Sequence, residues 1–283
     1  MALEVYFRLT NNCNLECGHC CYDSKPGGET ISEKDLEIAL GNIPYNVRGI
    51  IFSGGEVFTR KKRLWQALEY VSDNRDEKFP LLDGVTVQTN GFWINNSIQT
   101  KETLQKMADY GVSGVQVASY DFFHQFKKIP HEVFQFSPGL IRSHGLEFYM
   151  SGNDSPVPFG RAKDLSEEKL TTKAYCFASL NRVTISPDGN VSFCCFSGSP
   201  TMGSIIEDPL DEIISRARRN TLHRKLIRHR LDLVAKKLGK DPMVPKSMAC
   251  YFCSDLFDGV DMSKYNSAGL FGIVSGLLGN IKH

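Results

Sequence analysis

The sequence predicts an α/β fold with a parallel sheet, barrel-like or doubly wound, followed by a smaller cysteine-bearing unit. Two observations predict it: strand and helix patterns alternate through the first half, and past about residue 160 that rhythm gives way to short strands around turns. Val5-Tyr6-Phe7-Arg8-Leu9 is a β-rich run that stops at Thr10-Asn11-Asn12, a turn cluster. Ser32 is an N-cap with Asp35 three positions on, and Leu36, Ala39, Leu40 and Ile43 repeat at helical spacing behind it. Gly49-Ile50-Ile51-Phe52-Ser53 reads as a buried strand, and Leu64, Ala67, Leu68 and Val71 mark the next helix. Strands at 85–88, 114–118 and 146–150 alternate with helices near 100–110 and 131–143. Residues 182–186 and 191–193 flank Asp188-Gly189 and predict a hairpin. Residues 208–240 look helical, and no repeat of solenoid period is present.

With 41% hydrophobic and 23% charged residues and a net charge of +1, the 283-residue chain has no global pull toward nucleic acid. The N-terminus has no basic-then-apolar signal, and no apolar run approaches the roughly 18 residues of a spanning helix, so a cytoplasmic location is expected. Nine cysteines in a reducing compartment point to metal or redox chemistry rather than disulfides. They fall in two groups.

Cys13, Cys17 and Cys20 place three thiolates on one short loop after the first strand. Iron–sulfur clusters usually take four thiolates, so three leave one iron open. Zinc completed by His19 is the competing reading, and spacing alone leaves both open. The spacing Cys-x3-Cys-x2-Cys resembles the signature of the radical S-adenosylmethionine (SAM) superfamily. The resemblance implies a partial (β/α)6 TIM-like barrel whose open iron binds SAM. Ser53-Gly54-Gly55-Glu56, Thr89-Asn90-Gly91, Ser119-Tyr120-Asp121 and Gly160-Arg161-Ala162 all follow strands, where barrel active sites assemble. Carried over residue by residue, His19, Gly54, Gly55, Glu56, Asn90, Ser119, Asp121 and Arg161 lie near SAM.

Cys176, the pair Cys194-Cys195, and Cys250-x2-Cys253 supply five thiols in the last third. Alone they would read as structural zinc; behind this core they resemble the auxiliary cluster domains called SPASM or twitch. Along an outgoing hairpin strand, adjacent cysteines point to opposite faces, so one ligates and one is spare. A spare thiol can give a hydrogen atom to a carbon radical, or can simply be a small buried hydrophobe. The doubled Cys20-Cys21, Asn90-Gly91-Phe92-Trp93, His124, Cys194-Cys195 and Cys253 followed by Leu256-Phe257 are similar to the radical SAM peptide epimerases that make epipeptides. That resemblance implies L-to-D conversion in a ribosomally made peptide, two [4Fe-4S] clusters, and an external one-electron reductant. Cys176, Cys194, Cys250 and Cys253 would hold the auxiliary cluster and Cys195 would donate hydrogen, with Cys21 the competing donor.

The expected domains are 1–165, the barrel core; 166–260, the auxiliary cluster domain; and 261–283, an apolar Gly-rich tail. No leader-binding domain is recognised ahead of the barrel, so the barrel mouth or the C-terminal region would grip a peptide. Between Arg216 and Lys240, ten Lys or Arg face one acid, Asp232, with leucines interleaved. This reads as a basic amphipathic helix: a solvated face over a core-facing stripe, or a surface for an acidic peptide or anionic membrane. The tail is too short and glycine-rich to span a bilayer, although it could lie on one. Rival functions are a sugar or aminoglycoside epimerase or dehydrogenase, a thioether-forming peptide maturase, and a zinc-binding interaction module.

Overall fold

The computed structural model describes residues 2–118, 132–151, 160–165, 180–195, 200–242, 253, 255–257 and 260. Its first strand, β1 (Leu3–Thr10), buries Leu3, Val5, Phe7 and Leu9 on one face. The other face carries Glu4, Tyr6 and Arg8, and Arg8 is buried as well. Helix α1 (Glu33–Gly41) starts at Ser32, whose Oγ accepts the Asp35 N–H at 3.0 Å and donates to the Asp35 carboxylate at 2.6 Å. That reciprocal cap fixes where the chain turns back toward the sheet.

β2 (Val47–Gly54) runs parallel to β1, with Phe7 opposite Phe52 and their rings 6.1 Å apart in the core. α2 (Lys61–Asp73) lays Leu64, Ala67, Leu68 and Val71 against the sheet. β3 (Gly84–Thr89), α3 (Ile98–Asp109, capped by Ser97), β4 (Gly114–Ala118), α4 (Glu132–Arg142) and β5 (Glu147–Ser151) continue the alternation. Buried Val85, Val87, Val115 and Val117 put one face of these strands in the core.

The sheet order is β5-β4-β3-β2-β1-β6-β7-β8. β6 (Arg182–Ile185) pairs in parallel with β1, so six strands run parallel; the sixth lies on the β1 edge rather than beyond β5. β7 (Asn190–Ser192) returns antiparallel with Thr184 opposite Ser192, which is the expected Asp-Gly hairpin, and β8 (Thr201–Ser204) closes the edge.

The basic segment is three helices, not one. α5 (Leu210–Arg219) ends at Asn220, whose side chain caps α6 (Thr221–Ile227) by accepting from Leu222 N at 2.9 Å and His223 N at 3.2 Å. A second break at 228–230, with His229 at φ 56°, leads into α7 (Leu231–Lys237). Leu222 and Leu226 are buried, so part of the leucine stripe does face the core. Among the described residues no helix is long and apolar enough to cross a membrane.

Candidate active site at the strand ends

The loop after β1 places Cys13, Cys17 and Cys20 around one cavity of about 480 Å³. Cys13 and Cys17 are buried and Cys20 is half-buried. The Leu15 N–H points at Cys13 Sγ (3.4 Å), the Ser24 N–H at Cys20 Sγ (3.3 Å), and the Asn90 amide lies 4.0 Å from Cys13 Sγ. Burial, aided by the nearby Glu56, Cys17 and Cys20 and opposed by the Leu15 N–H, pushes the Cys13 thiol up to about 12, which would keep it protonated. Donors aimed at a buried sulfur suit a thiolate neutralised by bound cations, because coordination removes the thiol proton. Among the described residues, no three His, Cys, Asp or Glu side chains are close enough to hold a single metal ion. Three thiols on one cavity are a donor set that suits an iron–sulfur cluster with one iron left open. The cavity volume also lies within the range of small-ligand sites, so there is room for SAM beside it.

The end of β2 docks on the cysteine loop. Gly55 N donates to Thr10 O (2.6 Å) and Glu56 N to Asn12 O (2.8 Å). A Cβ at Gly54 would stand 2.2 Å from Thr10 O, so only glycine lets the two backbones meet. Both glycines line the cavity. Glu56, expected at SAM, is 1% exposed and is not among the cavity-lining residues. Its carboxylate accepts from Phe58 N (3.0 Å), Asn90 N (2.6 Å) and the Thr89 hydroxyl (3.0 Å), tying the end of β2 to the end of β3.

Thr89 Oγ1 in turn accepts from Trp93 Nε1 (3.0 Å) and Gly91 N (3.1 Å), and Trp93 stacks on Phe58 at 4.1 Å. Burial raises Glu56 to about 7, while these three donors hold it down. The folded-state value exceeds the ordinary 4.5, so stability falls as pH rises between those two values, where the unfolded chain has lost the Glu56 proton and the folded chain keeps it. Thr89→Val strips one donor from Glu56 and the acceptor from Trp93 and Gly91. It should lower the unfolding free energy by about 2 kcal/mol or more, read by denaturant titration.

Arg161 carries a second brace. Its Nε donates to Cys17 O (3.0 Å), Nη2 to Ser24 O (2.6 Å), Nη1 pairs with Asp23 (2.8 Å), and its backbone N–H donates to Cys20 O (3.0 Å). Gly160, at φ 55°, permits this approach; a Cβ there would lie 2.5 Å from Cys20 O. Arg161 lines the cavity, yet its guanidinium is committed to holding the cysteine loop closed. His19 and Asn90 also line the cavity, both buried, and the Asn90 amide donates to Asn14 Oδ1 at 2.9 Å.

Cys195 lines the same cavity as the three loop thiols. β7 ends at Ser192 and both Cys194 and Cys195 lie in the bend beyond it, so strand alternation does not set their directions; of the two, Cys195 lines the cavity. Their thiols are hydrogen-bonded. That bond brings Cys195 down to about 7 against the effect of burial, with Tyr22 and Arg182 acting in the same direction. Cys21 also lines the cavity, and burial pushes its thiol up.

The floor is polar: the Tyr6 hydroxyl meets Ser53 Oγ (2.7 Å) and Gln88 Oε1, and Ser53 Oγ donates to Gln88 Oε1 (2.6 Å). Tyr6, Tyr22 and Gln88 were not singled out from the sequence. The available signal was Glu4, Tyr6 and Arg8 at every second position, a polar face on a strand otherwise apolar. Cys253 is half-buried against the core. Ser119, Asp121, His124, Cys176 and Cys250 lie outside the described residues.

Residues 7–128 match the radical SAM superfamily, and residues 176–254 match SPASM, an iron–sulfur cluster-binding domain. The chain therefore carries a radical SAM domain followed by an iron–sulfur cluster-binding domain, and these imply SAM and iron–sulfur clusters as cofactors. A stretch of 123 residues, 42% of the chain, is 30% identical to YydG of Bacillus subtilis (strain 168), a protein named for peptide biosynthesis; it spans 36% of that relative's length. Two solved structures share the fold. Native anSMEcpe with bound AdoMet and Cp18Cys peptide matches with TM-score 0.57 at 12% identity over 100% of both chains. BtrN in complex with AdoMet and 2-DOIA matches with TM-score 0.55 at 16% identity, over 86% of this chain and 91% of that one.

Proposed function

We propose that this chain is a radical SAM epimerase that converts an L-residue of a ribosomally made peptide to its D form. One observation carries the reading: a free cysteine outside the cysteine loop, Cys195, opens onto the cavity that Cys13, Cys17 and Cys20 surround. Likeness to YydG supports a peptide as substrate. The fold does not choose, since one structural relative holds a peptide and the other 2-DOIA.

In this reading Cys13, Cys17 and Cys20 hold one [4Fe-4S] cluster, and Cys176, Cys194, Cys250 and Cys253 hold a second. His19, Gly54, Gly55, Asn90, Ser119 and Asp121 surround SAM. Glu56 and Arg161 act on that site as positioning residues, through the Asn90 backbone and the cysteine loop. When bound, the cluster would pass one electron from the external reductant to SAM, which would release methionine and the 5′-deoxyadenosyl radical that takes the substrate's Cα hydrogen. Cys195 then gives its thiol hydrogen to the Cα radical from the other face. The Cys195 sulfur is left one hydrogen short, and an external one-electron reductant with a solvent proton restores the thiol.

Turnover in deuterated water tests the reaction class. Epimerisation imports one deuterium at Cα, because the thiol exchanges with solvent. Dehydrogenation or thioether formation instead yields a product two hydrogens lighter, and that product would replace this reading.

A further inference from the structure

We propose that the cavity between α6 and α7 is a docking site for an acidic peptide segment, the part of the substrate that carries no reacting residue. This rests on the reading of the substrate as a peptide. The cavity, of about 210 Å³, is lined by Thr221, Arg224, Lys225, Arg228, Arg230 and Leu233. Arg230 is paired with Asp232 at 2.7 Å. Arg224, Lys225 and Arg228 make no ion pair among the described residues.

Several other surface cations pair with acids, Arg48 with Asp83 (3.2 Å), Lys62 with Glu33 (3.4 Å) and Arg216 with Asp208 (2.5 Å), whereas three unpaired cations here share one hollow. Three like charges around one concavity repel one another unless an anion enters. The C-terminal turn of α6 accounts for favourable placement of Arg224 and Lys225. The same helix end favours Arg228, its C-cap, but it does not account for a hollow between the cations. The imbalance is local, because the chain as a whole is +1 while residues 216–240 hold ten cations and one acid.

Shape separates the occupants. A bilayer meets cations on a flat or convex face, whereas these surround a hollow with Leu233 in its wall, which suits an inserted carboxylate side chain with an apolar neighbour. The site is also placed to serve the active cavity. On α6, His223 packs its ring edge-on to Phe193 at 5.0 Å, and Phe193 immediately precedes Cys194 and Cys195. The helix bearing the cations therefore backs the hairpin that delivers Cys195.

The test is equilibrium binding to the reconstituted holoenzyme without reductant, using a short labelled peptide rich in Glu with interspersed Leu, and its Gln counterpart. The Glu peptide should bind at least about tenfold more tightly than the Gln peptide, since charge-assisted bonds exceed neutral ones. That preference should shrink with added salt. The combined variant Arg224→Gln, Lys225→Gln, Arg228→Gln should lose it at unchanged iron content, whereas Arg48→Gln with Lys62→Gln should keep it. Equal preference in the combined variant and wild type overturns the site. So does binding to phosphatidylserine vesicles with no Glu-peptide preference, which would make the surface a membrane contact. No turnover occurs, so this outcome is independent of the isotope test: no Glu-peptide preference in the wild-type holoenzyme with deuterium uptake intact removes only the docking site, and a preference without deuterium uptake removes only the chemistry.

Discussion

Replacing Cys13, Cys17 and Cys20 together by Ala should cut the iron of the anaerobically reconstituted protein from about eight to about four per chain, as loss of one of two four-iron clusters requires. It should abolish SAM cleavage as well. The three thiols surround one cavity, and two of them receive backbone N–H bonds set by the loop itself. Those donors come from Leu15 and Ser24, and the loop is held independently by Arg161 and the β2 end. The variant should therefore keep its fold while losing its cluster, and its far-ultraviolet circular dichroism should match wild type. Iron falling from about four to none would leave a single cluster and demote Cys176, Cys194, Cys250 and Cys253 to zinc or packing. Unchanged iron would remove the loop assignment altogether, and with it the chemistry proposed for the cavity.

Much of the fold was legible because its signals are local. The Ser32 cap, the apolar spacing of α2, the β1 alternation and the Asp-Gly turn each lie within a few residues, and each element formed where those patterns stand. Pairing of β6 with β1 is different: residues 178 apart, such as Glu4 and Arg182, meet there, and no periodicity encodes it. The break in the basic segment was readable in part, since Asn220 is a good N-cap two residues before Leu222. The hydrophobic stripe continued across it and concealed the break.

At the site, motifs far apart in sequence meet at one cavity, but the sequence did not show what several of them touch. Glu56 and Arg161 follow strands as SAM contacts would. Their partners, Asn90 N and the carbonyls of Cys17 and Ser24, are decided by how loops from distant strands close on each other. The strand rule does not reach Cys194 and Cys195, because β7 stops at Ser192.

Cys195→Ala should continue to release 5′-deoxyadenosine at a rate within a few-fold of wild type while solvent deuterium in the peptide falls to background. The two half-reactions use different parts of the cavity. Hydrogen abstraction depends on the loop of Cys13, Cys17 and Cys20, which Ala at 195 does not touch; hydrogen return depends on a thiol facing the same space, which it removes. Cys21 also faces the cavity and is the internal control. If Cys195 is the donor, Cys21→Ala retains deuterium uptake, and if Cys21 is the donor the two variants exchange behaviour. Circular dichroism and iron content accompany both, because Cys195 adjoins Cys194, and loss of about four irons in Cys195→Ala would instead mark Cys195 as a cluster ligand. Deuterium uptake unchanged in both single variants would exclude Cys195 and Cys21 as the donor. The epimerase reading would then need a hydrogen source other than the thiol on which it rests.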